Sequence, residues 1–242
     1  MQACRWVAVF GVLVCGLALG AEPAPAQPVT VIRAGTLIDG VSGSAKANQT
    51  IVIRGNRIES VGSGAAPAGA RVIDLSGATV LPGMIDGHTH VFLQGEEPAE
   101  GGYDVQLLKY PLAYRAARAV VAARRALEQG FTTIRDVETE GAGYGDVGIK
   151  RAIEEGIIPG PRMFVSTRAI STTGGYNLEG YAPEVVVPKG AQLIDGPVEA
   201  RKAAREQLEN GADWLKVYMT HRSWIDSAGN LQSQPTLTVE EL

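Results

Sequence analysis

At Pro82 the text of this sequence changes rhythm, and the change rules out most folds. After it, strand-like runs alternate with helix-like ones. Met84–His90 reads as a strand, and Leu107–Gln129, which holds the run PLAYRAARAVVAARRALEQ, reads as one long helical segment stopped by Gly130. Thr132–Val137 is the next strand, the helix around Val147–Glu155 stops at Gly156 and Pro159, and Arg162–Ser166 is a third strand. Val198–Asn210 is a helix with Gly211 where a C-cap glycine belongs, and Trp214–Met219 is a fourth strand. Such alternation predicts an α/β domain over 82–242, with a parallel sheet and helical crossovers.

Before Pro82 the pattern is different. Val29–Ala34, Gln49–Arg54, Arg57–Val61, Arg71–Leu75 and Thr79–Leu81 are short β-rich runs split by glycine-bearing turns, and Gly55-Asn56 predicts a tight hairpin. These residues, 28–81, form a small β lobe that is too short to bury much core alone.

The first 27 residues are of another kind again. Arg5 precedes an apolar run from Trp6 to Leu19, and small residues follow at Gly20–Ala21 and Ala24-Pro25-Ala26. A positive start, a short apolar stretch and an A-x-A-like exit describe a secretory signal peptide over 1–27, which predicts a periplasmic or secreted protein. The run is shorter than the roughly 20 residues a spanning helix needs, so no membrane association is expected after cleavage. Both cysteines, Cys4 and Cys15, lie in this segment, so the mature chain is expected to lack thiols and disulfides. A content of 45% hydrophobic and 20% charged residues is that of a soluble globular protein. The net charge of −4 argues against nucleic acid as the main partner. Homo-oligomerisation is left open.

The other end carries a helix-start signal. In PTLTVEEL, Thr238 to Glu241 fits the capping box, and Leu237 and Leu242 stand at the positions of a hydrophobic staple. A start signal at the end of a chain makes the sequence read as a fragment.

Chemistry enters with PGMIDGHTH, Pro82–His90. Strand alternation points His88 and His90 the same way, with Asp86 behind them. Two neutral imidazoles on one face make half of a metal site, zinc being their common partner. The alternative is a pair of partly exposed histidines closing a strand. GADWLKVYMT, Gly211–Thr220, supplies a second half. There Trp214, Lys216 and Tyr218 share one face. A parallel strand covered by helices is buried on both faces, so Lys216 would stand desolvated with its pKa pushed down. A neutral amine can add CO₂ to form a carbamate, a two-oxygen anionic ligand able to bridge two cations. The alternative is a lysine that snorkels or pairs with a carboxylate.

PGMIDGHTH after a small β lobe, then GFTTIRD, then GADWLKVY, resembles the amidohydrolase superfamily, and more narrowly the imidazolonepropionase-like amidohydrolases, some of which are Xaa-Pro dipeptidases. The likeness runs in order from about Val29 to Leu242 and covers the N-terminal half of the family's fold. It implies a (β/α)₈ TIM barrel, of which strands one to four are present, preceded by a small β-sandwich lobe. Gly83–Leu242 is well short of the roughly 250 residues of a full barrel. By the resemblance, His88 and His90 match the pair on the more buried metal, and Lys216 matches the carboxylated lysine that bridges two Zn²⁺ ions. Lys216 and Tyr218 are then the catalytic candidates, Tyr218 facing the substrate carbonyl or carboxylate. The family's further histidines and its general-base aspartate have no match here. The implied activity is metal-dependent hydrolysis of an amide or peptide-like C–N bond in a small molecule or dipeptide, with the chain alone inactive or nearly so.

Other readings remain at this stage. A mononuclear deaminase shares the fold but does not use a bridging lysine, and a non-catalytic, degenerate half-domain would leave sheet edges exposed. Asp86 is either an orienting carboxylate or a structural hydrogen-bond acceptor. Asp136 and Arg135 are expected to form a buried ion pair, and His221 a loop or substrate contact. In STTGGYNLEGY, Ser171–Tyr181, Tyr176 stands where dipeptidase members carry histidine.

Overall fold

The computed structural model describes residues 27–94, 99, 102–176, 178 and 180–242, with the side chains of His221 and Arg222 excepted. The signal-peptide segment with both cysteines, and the contact expected of His221, lie outside what is described. Two compact units are separated between Pro82 and Gly83.

The first unit is a four-stranded sheet made of β1 (Val29–Leu37), β2 (Lys46–Arg54), β3 (Arg57–Gly62) and β4 (Arg71–Val80), in the order β3-β2-β1-β4. β1 runs antiparallel to β2 and parallel to β4, while β2 and β3 form the expected hairpin with Arg54 opposite Arg57. The two-residue link needs a positive φ, and Gly55 supplies it at +60°. One face is apolar: Ala34, Leu37 and Ile51 form a small core with Ile32, Ile53 and Val80 against it.

The second unit starts with β5 (Met84–Thr89), then α1 (Gly102–Leu108), α2 (Leu112–Glu128), β6 (Phe131–Asp136), α3 (Gly145–Glu154) and β7 (Arg162–Val165). β5, β6 and β7 form a parallel sheet in sequence order, as strand–helix alternation requires. Gly83 is fixed by close approach, since a Cβ there would lie 2.0 Å from Thr132 Oγ1. Ala119 and Ala123 let α2 lie near the sheet, where Ile134, Met163, Val165, Phe92 and Ile149 close the core. Each large aliphatic side chain so buried contributes about 1.5–3 kcal/mol.

The single helix expected over Leu107–Gln129 is two helices. Pro111 lacks an N–H and disfavours helical geometry at Tyr110, so α1 ends and α2 starts with Pro111 as its N-cap.

Beyond β7 come the short parallel pair β8 (Ile170–Ser171) and β9 (Gln192–Leu193), then α4 (Pro197–Glu209). An antiparallel hairpin of β10 (Thr220–Ile225) and β11 (Leu231–Pro235) follows. The strand expected over Trp214–Met219 is reduced to one parallel bridge, Val217 with Ile170. Val165 explains the shortening, because its carbonyl accepts from Asp213 N and Trp214 N while its N–H is taken by the Asp213 carboxylate. The segment is not buried on both faces, since Trp214, Leu215 and Met219 are exposed. Among the described residues no strand covers its other side.

The capping box forms as read, with Thr238 and Glu241 bonded reciprocally around a single 3₁₀ turn. Glu241 Oε1 also accepts from Gly196 N at 2.7 Å, while Leu237 is buried and Leu242 is exposed.

Candidate metal and substrate site

The C-terminal ends of the parallel strands collect the polar side chains of the second unit. On β5, Asp86 Oδ1 accepts from His88 N at 3.0 Å, a structural bond that turns the chain where the β5–β6 register slips. The His88 and His90 rings lie on one side with centroids 5.3 Å apart. His90 Nδ1 is 3.2 Å from the Glu138 carbonyl oxygen. A carbonyl only accepts, so Nδ1 carries the hydrogen and the Nε2 lone pair is left for another partner. His88 is exposed, yet some desolvation and then the positive charge of Lys216 hold its imidazole below its usual pKa.

Lys216 is half-buried, with Nζ 5.1 Å from the centroid of the Tyr218 ring. Tyr218 Oη donates a short hydrogen bond to Glu138 Oε2. Its ring stacks on Tyr176 at 4.7 Å and 9°, and Tyr103 meets Tyr176 edge-on at 5.9 Å. Tyr103 Oη and Tyr176 Oη both donate to Glu140 Oε2, at 2.7 and 2.9 Å. Burial raises the pKa of all three phenols, and the neighbouring glutamates raise them further, so each stays a neutral hydroxyl.

These glutamates are the part of the site that reading the sequence missed. Asp136, Glu138 and Glu140 form a buried acidic column where β6 ends. Burial first, then Glu140, pushes the Glu138 carboxyl up to about 8. Burial and Asp146 raise Asp136 well above the carboxylate range. Among the described residues, Glu138 Oε1 and Asp136 Oδ2 have no hydrogen-bond partner. The signal was present in RDVETE, where three acids alternate at i, i+2 and i+4 past a strand end.

The expected Arg135–Asp136 ion pair does not form. Neighbours in a strand face opposite ways, so Arg135 donates to the Gly87 carbonyl and lies over Trp214, while Asp136 Oδ1 accepts from Val91 N at 2.8 Å. The buried cation is instead Arg115 of α2. Its guanidinium donates to the carbonyls of Phe92, Thr139 and Glu140, the last at 2.6 Å.

This donor set fits part of a divalent metal centre. It offers two imidazoles, one with its tautomer fixed, and an amine beside them. Among the described residues no group of three or more His, Cys, Asp or Glu side chains stands at ligating spacing.

The second unit is thus a parallel α/β unit with paired histidines where its first strand ends and a lysine on a later, parallel segment. The chain belongs to the amidohydrolase family, whose model matches residues 79–242. It is 32% identical over 209 residues to the ochratoxinase of Aspergillus niger, covering 78% of this chain and 42% of that one. It is 28% identical over 188 residues to an imidazolonepropionase of Streptomyces coelicolor, covering 73% of this chain and 42% of that one. Among solved structures, a Xaa-Pro dipeptidase with bound methionine in the active site superposes with a TM-score of 0.74 at 32% identity, covering 88% of this chain and 52% of that one. The chain thus spans about half the length of the relatives it matches.

Proposed function

We propose that this chain carries the histidine and lysine part of a metal-dependent hydrolase that cleaves a C–N bond in a small amide or dipeptide. In this reading, residues 82–242 are strands one to four of a TIM barrel, preceded by a β-sandwich lobe at 28–81. His88 and His90 would hold a Zn²⁺ through ring nitrogens, and Lys216, carboxylated, would supply an anionic oxygen ligand to the same centre. For the carbamate, the unprotonated form of Lys216 attacks the CO₂ carbon: the N–C bond forms as one C=O π bond opens to an oxyanion, and the nitrogen then gives a proton to solvent water, leaving an anionic carbamate. The leader at 1–27 exports the protein to the periplasm or beyond.

Bound zinc would acidify a water and polarise the scissile carbonyl. The chain's own residues prepare for that. The Glu138 carbonyl fixes the proton of His90 on Nδ1. Tyr218, a neutral phenol held by Glu138, borders the place where substrate meets Lys216. The Tyr176–Tyr218 stack lines one side of that place.

The observation that carries the reading is convergence: the Lys216 amine lies 5.1 Å from the Tyr218 ring, Tyr218 donates to Glu138, and the Glu138 carbonyl stands 3.2 Å from His90 Nδ1. The relatives named for amide and dipeptide substrates support the reaction class, the N-acyl-D-aspartate deacylase being 44% identical over 69 residues. Metal analysis and a dipeptide screen on the intact protein test it. Lys216→Ala should lose metal and turnover together, and wild-type zinc content in that variant would refute the ligand role.

A further inference from the structure

One side chain joins four segments of the site, and the sequence reading gave it no role. Glu140 is 3% exposed and follows β6. Its φ is +51°, a left-handed conformation that a non-glycine residue adopts at a cost of about 1–2 kcal/mol. Such a residue persists only where its surroundings hold it. Arg115 of α2 grips its carbonyl oxygen at 2.6 Å. Its Oε1 stands 3.4 Å from His90 Nδ1, past the end of β5. Its Oε2 accepts two hydroxyl protons, from Tyr103 of α1 and from Tyr176 of the loop after β8. The fit is close, since a Cβ on Gly190 would lie 2.4 Å from Tyr103 Oη and 3.0 Å from the Tyr176 ring.

We propose that Glu140 is a positioning residue that, together with the Glu138 carbonyl, holds the ring of His90 with its proton on Nδ1 and, through the same carboxylate, seats Tyr103 and Tyr176 as the wall beside Tyr218. The proposal rests on the reading of His90 as a metal ligand and of Tyr218 as a substrate contact. Its chemistry is specific to a carboxylate. Two phenols on one oxygen need two lone pairs there, and the Nδ1 of His90, 3.4 Å from the other oxygen, favours an acceptor there beside the Glu138 carbonyl. An amide offers one oxygen and one donor group, so glutamine can serve the tyrosines or the histidine but not both.

The test uses Glu140→Gln, Glu140→Ala, Tyr103→Phe and Tyr176→Phe in the intact protein. Three quantities are read: zinc affinity by chelator competition, the side-chain ¹⁵N signature of His90 in metal-free protein, and kcat and KM separately. Both Glu140 variants should bind zinc about 10–100-fold more weakly, the usual effect of losing a partner behind a ligand histidine, and their His90 signal should move toward the Nε2–H form. Tyr103→Phe and Tyr176→Phe should raise KM several-fold and leave zinc affinity alone. Should Glu140→Ala fail to fold, the isosteric Glu140→Gln carries the same readouts. Wild-type zinc affinity and an unmoved His90 signal in Glu140→Gln would overturn the proposal, even with a lowered melting temperature. Should the wild type hydrolyse nothing or bind no zinc, the hydrolase reading fails, and the His90 signal still decides for or against Glu140.

Discussion

Asp146 offers the sharpest test of how the site is braced. It lies in the first turn of α3, fully buried, with Oδ2 accepting from Thr167 N at 2.8 Å and Oδ1 from Val147 N at 2.9 Å. Burial outweighs these bonds, and the carboxyl is pushed from 3.8 up to about 6. The sign follows from proton counts. Between those values the folded chain holds a proton that the unfolded chain has released, so stability is greatest at acid pH and falls as pH rises. One pKa unit corresponds to about 1.4 kcal/mol, so the wild type should lose about 1.4 kcal/mol from this group between pH 5 and 8 and about 3 kcal/mol over the whole range. Asp146→Asn cannot titrate and keeps one oxygen for Thr167 N, so its loss over the same interval should be smaller by that amount. Asp146→Ala leaves a buried N–H without a partner and removes an acceptor at a helix start, a penalty of about 2–4 kcal/mol. Urea denaturation at pH 5, 6.5 and 8, followed by Trp214 and Trp224 emission, measures all three proteins. A difference between wild type and Asp146→Asn that stays flat, or grows in the wild type's favour toward pH 8, would refute the reasoning.

Other substitutions have equally definite outcomes. Arg115→Lys keeps the charge but one ammonium cannot span three carbonyls, so the protein should lose about 2–4 kcal/mol in the same denaturation assay; no loss would mean that the grip on Phe92, Thr139 and Glu140 is dispensable. Gly83→Ala puts a methyl 2.0 Å from Thr132 Oγ1 and should cost about 1–3 kcal/mol, recovered in part by adding Thr132→Ala. Ile134→Ala, at a core position 1% exposed, should cost about 2–5 kcal/mol. Tyr218→Phe should lower kcat/KM without changing metal content, and unchanged kinetics would reduce Tyr218 to packing.

Much of this fold was legible because local signals and tertiary demands agree. Gly55-Asn56 makes its hairpin, Gly130 and Gly211 follow the helices they were read as stopping, and β5, β6 and β7 pair in parallel as strand–helix alternation requires. The misread places are those where one residue vetoes a pattern. Pro111 splits a run whose apolar periodicity continues through it, and the Asp213 carboxylate closes the edge of β7 that a longer fourth strand would have used. The hairpin β10–β11 went unread although DSAGN, Asp226–Asn230, is a turn signal, with Asp226 accepting from Ala228 N and Asn230 N. In the site, residues with a nameable chemistry stood out, namely His88, His90, Lys216 and Tyr218. Glu138 and Glu140 did not, because glutamates after a strand read as solvated loop until the tyrosines that cover them are known to come from α1 and from the loop after β8.

Among the described residues, the two left-handed non-glycine residues of the second unit explain why so much charge is buried here. Glu140 at +51° and Thr167 at +57° follow consecutive strands, β6 and β7, and are linked through Thr139 N, which donates to the Thr167 carbonyl at 2.8 Å. Neither is glycine, so each carries about 1–2 kcal/mol of backbone strain. A buried ion faces each of them: Arg115 holds the carbonyl of Glu140, and Asp146 holds the N–H of Thr167. An isolated buried ion is costly, but one that satisfies backbone groups with no other partner offsets part of that cost with charge-assisted hydrogen bonds. Glycine at 140 would relieve the strain and lose the carboxylate that meets His90, Tyr103 and Tyr176. Glycine at 167 would lose the hydroxyl that donates to Gln207 Oε1 at 3.0 Å. The bent backbone after each strand is therefore kept by side chains that a relaxed loop would not need, and the same bends bring the acidic column beneath the histidine pair.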